Sequence, residues 1–202
     1  NMAQMFIDGE FVDSLSGKTN AVSNPATGET VDSVPLGTVE DARRAIDAAQ
    51  AAFGEWSQTS AEHRGKILLK AVELIRQRHD ELAVLLTKEQ GKPVSESRTE
   101  IEHFLHGMEF YAGLASKVRG AYVPLPDTSM YGLVIRQPIG VCAAIVPWNF
   151  PITLMGTKVN PALAAGNTVV VKPASTTPLT ALQIVAIMNQ AGLPKGVLNL
   201  IT

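Results

Sequence analysis

Ile139-Gly140-Val141-Cys142-Ala143-Ala144-Ile145-Val146-Pro147-Trp148-Asn149-Phe150-Pro151 is the stretch that decides the fold. Ile139 to Val146 is a continuous apolar run that reads as a buried strand, and a helical segment follows from about Phe150 to Ala165. Gly166-Asn167 supplies a helix stop, and Thr168 to Lys172 is a β-branched strand. Thr177-Pro178 opens another helix to about Ala191, Gly192 ends it, and Val197 to Ile201 is a further strand. The order is β-α-β-α-β. Fully apolar strands alternating with helices indicate an α/β fold with a parallel sheet covered on both faces. Ligands of such sheets sit beyond the carboxyl ends of the strands, here Val146-Pro147-Trp148-Asn149 and Lys172-Pro173-Ala174-Ser175.

Upstream, residues 119–138 carry two prolines and then Tyr131-Gly132-Leu133-Val134-Ile135-Arg136, which reads as an extended arm or hairpin whose edges need partners. Residues 1–118 are mainly helical after a start of short pieces broken by turn formers. Asp8-Gly9, Ser16-Gly17, Asn24-Pro25 and Thr27-Gly28 predict small β-hairpins at a domain edge. Thr38 with Asp41 forms a capping pair for a helix whose stripe is Val39, Ala42, Ile46, Ala49, Phe53 and Trp56. Ser60 caps a second helix with Ile67, Leu68, Ala71, Leu74 and Ile75 on its apolar face. Asp80 begins a third that Gly91 and Pro93 stop, and a fourth runs from about Val94 to Lys117.

The composition fits a globular protein, with 46% hydrophobic and 18% charged residues in a chain of 202. Seventeen basic against nineteen acidic side chains give a formal charge of -2, so nothing in the balance draws a nucleic acid or a membrane surface. One cysteine excludes an internal disulfide and fits a reducing compartment. The start lacks the basic and apolar segments of a secretion signal, and a cytoplasmic protein is expected. Asn1 ahead of Met2 reads as the remnant of a purification tag.

Pro147-Trp148-Asn149-Phe150-Pro151, with Lys172-Pro173-Ala174-Ser175 one βαβ unit later, closely resembles the aldehyde dehydrogenase superfamily. So do Phe6-Ile7-Asp8-Gly9-Glu10-Phe11, Asn24-Pro25-Ala26-Thr27-Gly28, Glu89-Gln90-Gly91-Lys92-Pro93 and Pro161 to Asn167, so the likeness spans essentially the whole chain. It implies a Rossmann-like cofactor domain that lacks the GxGxxG fingerprint, with residues 1–118 as its hairpins and helical layer, 119–138 as an oligomerisation arm and 139–202 as its βαβαβ part. It also implies NAD or NADP as cofactor, a small-molecule aldehyde as substrate, and a homo-dimer or homo-tetramer.

Oxidising an aldehyde needs a nucleophile, a donor to hold the developing oxyanion, and a nicotinamide placed to accept hydride. Asn149 suits the donor role, because its amide can hydrogen-bond an oxyanion without itself ionising, and the resemblance implies that role. A competing reading makes Asn149 only the N-cap of the following helix. The resemblance places Lys172 on the adenosine ribose hydroxyls, against a competing reading as a snorkelling cation. It puts the backbone of Ile145, Val146, Pro147 and Trp148 along the nicotinamide ribose and pyrophosphate, with Pro173 and Ala174 in the second loop. Where NAD-restricted members carry an acid, neutral Ser175 removes the repulsion that would oppose a 2′-phosphate, although it is also an ordinary turn residue. Phe150, Thr153, Leu154 and Thr157 match the substrate tunnel or else pack a helix. Lys158, nine residues after Asn149 on what reads as the same helix, is either near the cavity assisting proton movement or a surface lysine.

Cys142 lies inside an apolar run with no basic neighbour to lower its pKa, so it reads as a buried free cysteine rather than the nucleophile. His103 and His106 with Glu102 and Glu109 read as a solvated helix face rather than a metal site. By the resemblance, the nucleophilic cysteine, the general-base glutamate and the glycine-rich turn at the pyrophosphate lie beyond residue 202, and the chain alone is expected to be inactive. Two other readings stay open: an acylating relative that passes a thioester to coenzyme A, and a non-catalytic nucleotide-binding or oligomerisation module.

Overall fold

The computed structural model describes residues 3–202; Asn1 and Met2, and with them the tag reading, lie outside. β1 (Met5–Ile7) and β2 (Glu10–Val12) form a hairpin closed by Asp8 and Gly9 at φ 53° and 76°, the positive values that a two-residue turn demands. β3 (Thr19–Ser23) and β4 (Thr30–Pro35) form a second hairpin. α1 (Val39–Gln58) starts on a reciprocal cap: the Thr38 hydroxyl accepts from the Asp41 amide at 3.2 Å and the Asp41 carboxylate accepts from the Thr38 amide at 2.9 Å. α2 (Ala61–Gln77) begins with Ser60 Oγ accepting the His63 amide. α3 (His79–Gln90) stops at Gly91, φ 92°, and α4 (Val94–Leu114) leads through a short 3-10 turn into the β5 (Ala121–Pro124) and β6 (Tyr131–Val134) hairpin. The rest is β7 (Val141–Ile145), α5 (Pro151–Ala164), β8 (Thr168–Lys172), α6 (Leu179–Gln190) and β9 (Leu198–Leu200), as the apolar pattern indicates.

The main sheet has the order β2-β1-β9-β8-β7. β7, β8 and β9 are parallel, but β1 pairs antiparallel with β9 at Phe6↔Leu200, so the sheet is mixed rather than purely parallel. The first hairpin is therefore joined to the central sheet and forms one edge of it. α1 packs on β7, β8 and β9, while α5 packs with α4 and α2, and α6 with α2 and α3. Every β8 residue before Lys172 is buried. Coverage is incomplete at β7, where Ala143 and Ile145, two residues apart and so on one face of the strand, are exposed.

The expected stripe on α1 holds in part: Ala49 and Trp56 are buried and Ala42 and Phe53 half-buried, but the buried face is shifted away from Val39 and Ile46. Asp41, Ala45, Ala49 and Trp56 are buried, whereas Val39 and Ile46 are 67% and 48% exposed. Small side chains face the sheet because backbone must come close there. A Cβ on Gly196 would fall 2.5 Å from the Ala48 carbonyl oxygen. On α4 the buried face is Ile101, Phe104, Leu105, Met108 and Ala112. No helix among the described residues is long and apolar enough to cross a membrane.

Candidate active site

The parallel register pairs Ile145 with Lys172, so the loops after β7 and β8 leave from neighbouring positions at one end of the sheet, tied by Val146 N–H donating to the Lys172 carbonyl at 3.0 Å. This brings Ile145, Val146, Pro147 and Trp148 together with Lys172, Pro173, Ala174 and Ser175. Val146 and Pro173 are buried anchors, while Ile145 and Trp148 are 72% and 59% exposed. Lys172 is half-buried, and its ammonium donates to the Pro173 carbonyl at 2.8 Å. Exposed Ser175 brings no charge, and its carbonyl accepts from Asn20 Nδ2 at 3.4 Å. Exposed apolar surface, a cation with spare donors and a neutral turn residue fit a dinucleotide.

Asn149 does not cap α5, and it lies outside that helix. The residue preceding the helix is Phe150, at φ -132° and ψ 65°, and no local side chain caps the amides. Glu100 on α4 replaces the local cap, with Oε1 accepting from Ile152 N–H at 2.8 Å and Thr153 N–H at 3.2 Å. The capping reading of Asn149 is thereby corrected: a neighbouring helix already supplies the acceptor. Only the Asn149 carbonyl is engaged, by Lys92 Nζ at 3.0 Å and Gln90 Nε2 at 3.4 Å. Its side-chain amide makes no hydrogen bond among the described residues and is exposed.

Lys158 is consequently not on one helix with Asn149, and a nine-residue helical phase does not relate them. Thr153, Leu154, Thr157 and Lys158 do share α5, where the Leu154 carbonyl accepts from both Thr157 Oγ1 at 3.0 Å and Lys158 Nζ at 3.3 Å. Thr153 and Leu154 are half-buried; Phe150, Thr157 and Lys158 are exposed. Burial pushes the Cys142 thiol up, opposite to what a nucleophile needs. His106 sits on an exposed face of α4 and pairs with Glu102 at 3.7 Å, while Arg76 engages Glu102 and Glu109.

Four residues of the site were not singled out by chemical reasoning on the sequence: Glu89, Gln90, Lys92 and Glu100. Glu89 caps α6, accepting from Leu179 N–H at 2.7 Å and Thr180 N–H at 2.9 Å, and it lines a cleft of about 450 Å³ shared with Trp148 and Thr176. Burial drives its pKa up to about 7, with the Glu100 carboxylate adding to the rise against the pull of the α6 amides. The available signal was an acid on a buried stripe, since Leu82, Leu86 and Glu89 share one face of α3, as Ser97, Glu100 and Ile101 do on α4.

A sequence model of the aldehyde dehydrogenase family matches residues 11–202. The betaine aldehyde dehydrogenase of Bacillus subtilis is 44% identical over 98% of this chain, which spans 41% of that protein. Among solved structures, an Escherichia coli NADP dependent enzyme superposes with a TM-score of 0.97 at 41% identity, over all of this chain and 42% of its own. An NAD-dependent aldehyde dehydrogenase from Sinorhizobium meliloti does so with a TM-score of 0.96 at 36% identity, over all of this chain and 41% of its own. The matched family, the two-loop edge of the sheet and the relatives' shared backbone lead to one statement: the chain belongs to the aldehyde dehydrogenase family.

Proposed function

We propose that this chain supplies the oxyanion donor and part of the dinucleotide site of an enzyme that converts an aldehyde, NAD(P)+ and water to a carboxylic acid and NAD(P)H. The observation that carries the reading is the Asn149 carboxamide, exposed beside the Lys172 loop and released from any capping duty by Glu100. Its N–H donates to the oxygen that gains charge when a nucleophile adds to the aldehyde, a bond worth about 3 kcal/mol in a water-poor site. The dinucleotide, when bound, supplies hydride acceptance. Lys172 holds its adenosine ribose hydroxyls, the backbone from Ile145 to Trp148 lines its nicotinamide side, and Pro173, Ala174 and Ser175 border the 2′ position. Phe150, Thr153, Leu154 and Thr157 line the aldehyde's approach, and Lys158 assists proton movement.

The nucleophilic cysteine, carrying thiohemiacetal and thioester in turn, and the general base belong to the part of the relatives' length that this chain does not span. The β5–β6 hairpin serves as the arm of a homo-dimer or homo-tetramer. Its apolar side chains Tyr122, Tyr131 and Leu133, 65%, 67% and 62% exposed, leave its surface for a partner to cover.

Product analysis with a protein carrying this segment at the family's full length tests the reading. Free acid and NAD(P)H formed without coenzyme A are expected; turnover that requires coenzyme A and yields only the acyl thioester would transfer the segment to an acylating enzyme. Ser175→Glu tests the cofactor assignment. A carboxylate within about 4 Å of a 2′-phosphate should weaken NADP by roughly 1 kcal/mol or more while affecting NAD much less. Equal losses for the two cofactors would remove Ser175 from the 2′ position.

A further inference from the structure

We infer that Lys92 and Glu100 form a buried clamp that positions Asn149, so that the rate of the chemical step depends on two residues that touch neither substrate nor cofactor. The inference rests on Asn149 being the oxyanion donor. Lys92 Nζ makes three contacts: it pairs with Glu100 Oε2, donates to the Asn149 carbonyl at 3.0 Å, and lies 4.1 Å from the centre of the Phe150 ring. The side chains are 10% and 1% exposed. The ammonium is thus enclosed by an anion, a carbonyl and an aromatic face.

The segment it grips has few other restraints. After the Val146 amide bonds Lys172, the peptide groups of Pro147, Trp148 and Asn149 have only two hydrogen-bond partners among the described residues, Lys92 and Gln90, both on the Asn149 carbonyl. Gln90 is 3.4 Å away, at the long end of a hydrogen bond, so Lys92 is the principal tie. Glu100 couples this tie to the helix, because one oxygen holds Lys92 while the other accepts the Ile152 and Thr153 amides. Gly91 fixes where Lys92 departs: its φ is 92°, and a Cβ there would lie 2.6 Å from Pro25 Cγ. Misplacing a reacting group by about 1 Å can cost on the order of 100-fold in rate, and a loosened carbonyl moves the side chain attached to the same residue.

Lys92→Met combined with Glu100→Gln is the informative variant in the full-length enzyme. Glutamine still accepts the α5 amides and strands no buried charge, so what is lost is the tie to Asn149 together with the ammonium's contact with the Phe150 ring. The single-turnover rate of hydride transfer should fall about tenfold or more, with cofactor affinity within about twofold of the parent. Lys92→Gln can still donate to Glu100 but not hold both partners; it carries the same expectation should the first variant not fold. Adding Asn149→Ala completes a double-mutant cycle. If Lys92 acts through Asn149, the combined variant is within about twofold of Asn149→Ala alone. A clamp variant that keeps the parental rate, or losses that multiply with Asn149→Ala, would overturn the clamp. A parental rate for Asn149→Ala by itself would instead remove the donor reading on which the clamp rests, and the clamp with it.

Discussion

Asn149→Ala should lower the single-turnover rate of the full-length enzyme by roughly 100-fold or more and leave cofactor affinity nearly unchanged. The bond it removes forms chiefly in the transition state, so ground-state binding is spared. The structure sharpens the contrast with a stability effect. A lost N-cap would cost about 1 kcal/mol, but Glu100 already accepts the first amides of α5 and the Asn149 carboxamide has no partner to lose among the described residues. Exposed substitutions of this kind usually change stability by less than about 0.5 kcal/mol. A melting temperature close to the parent's, alongside the slow rate, is the expected pair of results.

The second large effect is a dependence of stability on pH. Glu89 is 2% exposed, and burial raises its pKa to about 7 from the ordinary carboxyl value of 4.5. The folded chain therefore holds this proton more tightly than the unfolded chain does. The stabilisation is complete below about pH 4.5 and is lost as pH rises through about 7, a change on the order of 3 kcal/mol. Glu89→Gln cannot titrate and keeps an acceptor for the Leu179 and Thr180 amides. Denaturant unfolding from pH 4.5 to 8 should show the parent losing ground against Glu89→Gln as pH rises. A difference that stays flat across this range would mean that Glu89 remains ionised in the fold.

What was legible in the sequence was mostly what neighbouring residues decide. The β7-α5-β8-α6-β9 order followed from apolar runs and from Gly166 and Gly192, whose φ values of 91° and 109° end their helices as a glycine stop requires. The capping pair at Thr38 and Asp41 is equally local. The antiparallel attachment of β1 to β9 was not legible, because it joins Phe6 to Leu200 from opposite ends of the chain. The α1 stripe was partly misread for a different reason. Hydrophobicity favours Val39 and Ile46, which are exposed, whereas Ala45 joins the expected Ala49 and Trp56 on the buried face, because close approach to the sheet selects a small side chain.

The site divides along the same line. The two loops could be located because parallel strands place their carboxyl ends together, and Ile145↔Lys172 pairing does so. The clamp and the two glutamate caps could not. Glu89 reaches amides 90 and 91 residues away, and Glu100 reaches amides 52 and 53 residues away. Their only trace in the sequence is an acid on an otherwise buried face. That same long-range cap removes the capping reading of Asn149, and a sequence offers no way to see that the local capping duty has been taken over.

The most direct test of the account is the single-turnover rate of Asn149→Asp. Aspartate matches asparagine in size and would be an excellent helix cap, but it sets a carboxylate against a developing oxyanion where an amide N–H should donate. The account predicts a folded protein with near-parental stability and a rate at least as slow as that of Asn149→Ala. A stable Asn149→Asp enzyme with near-parental turnover would contradict it.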